Sequence, residues 1–265
     1  MSAYYQLLDR VITEDTVTSH YRPTLHTQGA WNAHEQHMAA ASGVLAAELE
    51  QFQPRSDLRI GRISFDIFGL IALNDFSISS QVIRAGKTIE LIEAVMRANN
   101  KICIVARAWR MCTQNSQSVA GLEDQSIHRP EDYQPWTGIK RWPGGFIESL
   151  EARTNSDRRA GKGIVWLNNS LAMVEDQPTS DFVHLMGMVD TANGVVARQD
   201  EAFTWGFPNL DLQIHLYRAP TGQWLGLETV QQYGADGIGL TSSILHDSHG
   251  PFGRSEQILT LRKLD

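Results

Sequence analysis

The segment 34–52, HEQHMAAASGVLAAELEQF, constrains the fold more than any other. Met38, Ala41, Leu45, Ala46 and Leu49 recur at spacings of three and four, the repeat of a helix. Pro54, followed by Arg55 and Ser56, ends it. Ala39, Ala40, Ala41, Gly43, Ala46 and Ala47 make it small on nearly every side. A helix with no bulky face lets other backbone approach it all round, and a sheet wrapped around a helix requires that.

The chain beyond this helix reads as sheet. Segment 59–68 alternates Ile60, Arg62, Ser64 and Asp66 against Gly61, Ile63, Phe65 and Ile67, a period of two. Segments 75–84, 88–98 and 101–113 read as three more strands, with a hairpin at Asn99-Asn100-Lys101. One helix followed by long antiparallel strands predicts an α+β unit. Segment 114–144 breaks the pattern with Ser, Gln, Asp, Glu and Pro. It reads as a long crossing connection between two units. Trp136 and Trp142 pin it to the body, or alternatively line a ligand tunnel.

The pattern then returns. Strands are expected over 145–154 and 161–168, a second helix from Pro178 to about Asp190 with Thr179 or Ser180 as N-cap, and strands over 209–218, 223–233, 237–247 and 253–263. Asp190 reads as a cap or turn residue ahead of Asn193-Gly194. The order of elements repeats, which divides the chain into 1–113, a connector 114–144, and 145–265. Two such sheets joined edge to edge would cover both open edges.

Charge and cysteine content exclude several classes. Lys+Arg is 23 against Asp+Glu 30, a formal charge of −7, which argues against a nucleic-acid partner. Two cysteines, Cys103 and Cys112, make neither a disulfide framework nor a zinc site. The N-terminal residues lack a basic n-region, and no run approaches ~18 apolar residues, so neither a signal peptide nor a membrane contact is expected and a cytoplasmic location is. His34-Glu35-Gln36-His37 is not the HExxH spacing, so no metal is expected. The glycines of 234–239 form no phosphate cradle, and a Gly-x-Ser-x-Gly elbow is absent, so no nucleotide cofactor and no serine-hydrolase chemistry is expected.

Several segments resemble the acyl-CoA thioesterase II family. They are Asn209-Leu-Asp-Leu-Gln-Ile-His-Leu216 with Arg218 and Pro220, Gln223-Trp-Leu225, Glu256-Gln257 with Arg262, and in the first half Arg62-Ile-Ser-Phe-Asp66 and Ile83-Arg-Ala-Gly-Lys-Thr88. The resemblance implies a double hotdog fold and water-mediated hydrolysis of an acyl-CoA in fatty acid metabolism, with no cofactor. It also suggests a homodimer. The family triad is Asp, Thr or Ser, and Gln, around an attacking water. Carried onto this chain it implies Asp211 and Gln257 as catalytic residues, with Gln232 in the middle position where the family has a hydroxyl. Thr229 is the nearby hydroxyl. The resemblance also places the oxyanion near the first helix, at 33–36. Arg84, Arg218 and Arg254 are candidates for holding CoA phosphates. Two alternatives stand beside this reading: a hotdog hydratase or dehydratase, and a non-catalytic acyl-thioester binder.

Overall fold

The computed structural model describes residues 2–199 and 203–264. Helix α1 (Met38–Gln51) starts at the first of the periodic residues, four into the segment 34–52, because His37 caps it: Nδ1 accepts the peptide N–H of Ala39 at 3.0 Å. Every residue from Met38 to Leu49 is buried, as a helix small on all sides allows. Even Glu48 is buried, neutralised by Arg10 and hydrogen-bonded by the Tyr21 hydroxyl.

Four strands follow as expected: β3 (Leu58–Ile67), β4 (Phe76–Arg84), β5 (Ile89–Ala98) and β6 (Lys101–Cys112). Two strands precede α1, β1 (Ala3–Ile12) and β2 (Thr16–Pro23); the apolar residues of β1 come in adjacent pairs, Tyr4-Tyr5, Leu7-Leu8 and Val11-Ile12, and hide a period of two. The connector itself carries β7 (Gln134–Pro135), and after it come helix α2 (Gly145–Glu148), β8 (Glu151–Thr154), β9 (Lys162–Asn168) and β10 (Ala172–Val174). The expected strand over 145–154 is thus half helix. Gly144 turns the chain at φ 108°, and Gly145 packs against the Leu25 carbonyl so tightly that no side chain fits. Tertiary contact overrides the local pattern there.

The second helix is broken rather than continuous. Helix α3 (Asp181–Met186) is capped by Ser180, whose Oγ accepts the Val183 N–H at 3.2 Å. It ends at Gly187, and a 3-10 turn (Val189–Thr191) leads into α4 (Ala192–Val195). The remaining strands are β11 (Trp205–Gly206), β12 (Asp211–Leu216), β13 (Leu225–Tyr233), β14 (Ile238–Asp247), β15 (Gly250–Thr260) and β16 (Arg262–Lys263).

One sheet runs β10-β1-β2-β4-β5-β6-β3-β12-β15-β14-β13-β9-β8-β7. Its two halves meet where β3 pairs antiparallel with β12, Ile63 opposite Ile214. The fold is a mixed α+β double hotdog: each half of the sheet curls around its helix, and α1 meets α3 in the middle. There Gly43 faces Gly187, and the Ser42 hydroxyl donates to the Met186 carbonyl at 3.1 Å.

Candidate active site

A cavity of about 560 Å³ opens between the N-terminal end of α1 and the segment 190–195. Met38, Ile71, Ile139, Ile147 and Phe207 give it an apolar floor, while Gln36, His37, Asp190, Asn193 and Asn209 put polar groups on one wall. Such a cavity, mostly apolar with a few convergent polar groups, suits a small-molecule substrate.

Asp190 lies at the centre of the polar wall. The break after α3 turns its carboxylate inward, and burial pushes its pKa up to about 6 against the opposing effect of a hydrogen bond from Asn209. That bond runs from Asn209 Nδ2 to Asp190 Oδ1 at 2.8 Å. The other oxygen, Oδ2, lies 3.6 Å from His37 Nδ1. The contact is no ion pair at neutral pH. Burial holds the His37 pKa down at about 4, and Nδ1 already accepts the Ala39 N–H, so the ring is neutral and carries its proton on Nε2. The ring packs 4.4 Å from that of Phe146.

A row of buried polar side chains on the inner sheet face backs this wall. Gln231, Thr241 and Gln257 stand opposite one another on β13, β14 and β15. Gln231 Nε2 donates to Asn193 O (2.8 Å), Asn193 Oδ1 (3.0 Å) and Thr241 Oγ1 (3.1 Å), fixing the turn that follows Asp190. Gln257 Nε2 donates to the Asp190 carbonyl at 3.3 Å, and its buried Oε1 has no partner among the described residues.

The structure does not bring Asp211, Gln232 and Gln257 together. Asp211 and Gln232 lie on the outer sheet face. Asp211 Oδ1 accepts the Ile258 N–H at 2.8 Å, and Oδ2 accepts from Gln213 Nε2 at 3.2 Å. Gln232 is exposed while its neighbour Gln231 is fully buried. Of the three, only Gln257 reaches the Asp190 cluster. The sequence reading missed Asn209 and weighed His37 only as a metal ligand. It had one usable signal for Asp190: an acid set in the otherwise apolar run Met186-Gly-Met-Val-Asp190.

The helix start expected at 33–36 is extended chain, where the Gln36 N–H donates to Ile71 O; the first turn of α1 that faces the cavity begins at Met38. The three arginines suggested for phosphates are engaged elsewhere. Arg218 holds Asp247 through two bonds (2.6 and 2.7 Å), Arg254 holds Asp124, and Arg84 bonds Ile89 O and lies over Trp109. The cavity's arginine is Arg262. Trp142 both pins the connector, donating to Gly194 O at 3.3 Å, and lines the cavity. Among the described residues, no helix is long and apolar enough to cross a membrane.

A double hotdog body with a buried carboxylate facing a cavity at the N-terminal end of α1 sets the fold class. Residues 27–111 match the N-terminal domain of acyl-CoA thioesterases, and residues 130–261 match the C-terminal domain. With both domains matched in order, the chain belongs to the acyl-CoA thioesterase family. Solved structures of similar fold include a hot dog fold protein from Alicyclobacillus acidocaldarius (9% identity, 97% of each chain, TM-score 0.75). An acyl-CoA thioesterase II, TesB2, from Mycobacterium marinum is similar over 97% of this chain and 96% of its own (15% identity, TM-score 0.68). The dehydratase domain of PpsC from Mycobacterium tuberculosis, solved with C12:1-CoA, is similar over 98% of this chain and 100% of its own (14% identity, TM-score 0.56). A search of curated protein sequences finds no match.

Proposed function

We propose that this protein hydrolyses acyl-CoA thioesters by direct attack of water, with Asp190 as general base, Asn209 bonding its carboxylate and Gln257 holding its backbone. The carrying observation is the Asp190 carboxylate: buried at the wall of an apolar cavity, bonded by Asn209, with a pKa of about 6. A carboxylate poised there is ionised at neutral pH and basic enough to take a proton from water. In the reaction, water gives its proton to Asp190 and its oxygen to the thioester carbon. The oxyanion meets the first turn of α1 and the Nε2–H of His37, whose tautomer the Ala39 bond fixes. Collapse of the tetrahedral intermediate breaks the C–S bond, and the proton passes from Asp190 to the departing thiolate. Gln257 acts from behind the cavity wall: its Nε2, bonded to the Asp190 carbonyl, holds the turn that carries the base.

A dehydratase reading draws on His37 beside Asp190 and on the fold shared with a dehydratase domain. It requires an imidazole that accepts a proton. A ring held neutral with its proton on Nε2 and a pKa of about 4 is a donor instead. Incubation with 2-enoyl-CoA and 3-hydroxyacyl-CoA should therefore interconvert neither.

The test is thiol release from a panel of acyl-CoAs, short to long, branched and aromatic. Release from none of them would end the hydrolase reading. The pH profile is a sharper check. Because Asp190 must be ionised, kcat/KM should rise with pH through about 6 and then level off. Asn209→Ala removes the bond that favours the ionised form. The rising limb should then move up by roughly one pH unit, and activity at pH 6 should fall about fivefold. A limb that stays in place in this variant would detach Asn209 from the reaction.

A further inference from the structure

The loop between β8 and β9 gathers positive charge in a chain whose formal charge is −7. Arg158, Arg159 and Lys162 fall within one short turn, and the exposed Arg198 lies against its Gly161, with Nη1 2.7 Å from where a Cβ would stand. None of the four meets a carboxylate among the described residues: Arg158 donates to Val195 O (3.4 Å) and Arg159 to Ala160 O (3.2 Å). The nearest acid in sequence, Asp157, accepts from the Asn155 amide at 3.3 Å. A fifth cation is close. Arg141, lying over the rings of Trp142 and Phe203 at 5.5 and 4.9 Å, adds its charge to burial in pushing the Arg158 pKa down. The group adjoins the candidate active site, since Arg158 lies 4.2 Å over Trp136 and bonds the carbonyl of Val195, a cavity residue. Like charges crowded this way repel one another and attract an anion of matching size.

We propose that Arg158, Arg159, Lys162 and Arg198 form the platform that holds the phosphate groups of the CoA moiety. The inference rests on the reading that the substrate is a CoA thioester. Guanidinium groups pair with phosphate oxygens two at a time, and a lysine adds a mobile point charge. The uncharged pantetheine arm then leads from the platform to the cavity, so the charged end of CoA and the thioester bind at separate places.

The test uses two unreactive thioether analogues, S-decyl-CoA and S-decyl-pantetheine, titrated calorimetrically into the wild type and into an R159E/K162E variant. Both replaced side chains are exposed and outside the candidate catalytic group, and an unchanged melting temperature confirms the fold. The variant should bind the CoA analogue about tenfold or more weaker and bind the pantetheine analogue unchanged. The wild-type affinity for the CoA analogue should also fall with added salt more steeply than the variant's. Equal affinity for the CoA analogue in both proteins, equal losses for both analogues, or no binding by the wild type would each overturn the platform. A protein that binds as expected but releases no thiol from any acyl-CoA would overturn the hydrolase reading alone.

Discussion

Asp190→Asn is expected to lower thioester hydrolysis by roughly a thousandfold and to raise thermal stability at the same time. The loss comes from removing the group that accepts the water's proton. The gain comes from the cost of burying a carboxylate. The folded-state pKa of about 6 is raised above its ordinary 3.8, so the folded protein holds this proton more tightly than the unfolded chain. Well below pH 3.8 both states are protonated and Asp190 costs nothing. As pH rises from 4 to 6 the unfolded chain ionises first and stability falls. Above pH 6 the full penalty, on the order of 3 kcal/mol, is in place. An Asn keeps the oxygen that accepts from Asn209 and removes the charge. The variant should therefore melt about 5 °C higher at pH 8 and at nearly the wild-type temperature at pH 4. Calorimetry at the two pH values checks the stability, and thiol release checks the rate. Asp211→Asn is the matched control, since its Oδ1 still accepts the Ile258 N–H. Its rate should stay within about twofold of wild type. Collapse of activity in Asp211→Asn, with Asp190→Asn still active, would move the reaction to the other face of the sheet.

Those two aspartates mark where the sequence is legible and where it stops. The strands from 58 to 112 and from 211 to 260 show their period of two, and α1 shows its spacing of three and four. β1 does not alternate, because its pairing with β2 shifts register between Leu7 and Asp9, and Tyr4 and Tyr5 are both buried where the strand meets β10. The site is harder for a related reason. On a strand, a shift of one residue exchanges the buried face for the exposed one. Gln231 and Gln232 have the same side chain, and only the register of β13 against β9 and β14 tells which of them points inward. Asp190 comes after a helix, where an acid reads as a turn or cap. Its chemistry is made unusual by burial under Asn209 and Gln257, 19 and 67 residues further on, and no local pattern carries that.

Gly43→Ala should destabilise the protein even though alanine is the better helix former. Alanine in a helix interior gains about 1 kcal/mol over glycine. Here the added Cβ would stand 2.9 Å from the Gly187 Cα and run into the methyl end of Met173. The methionine can swing away, whereas the Gly187 backbone is held by the N–H bond to Val183 O at 3.0 Å. Overpacking of this kind costs roughly 1–3 kcal/mol, so the loss outweighs the helix gain. Gly43→Val should exceed that range and yield little folded protein. Met173→Ala separates the two contacts. Combined with Gly43→Ala it should be less destabilised than the sum of the single variants, because one obstacle is gone, yet it should still fall short of Met173→Ala alone. Full additivity would show that the two side chains do not compete for the same space. The crossing also sets how far α1, with His37 at its start, stands from the turn that carries Asp190. In Gly43→Ala protein that remains folded, kcat should therefore drop along with stability, and acyl-CoA titration at a temperature well below melting distinguishes that drop from simple unfolding.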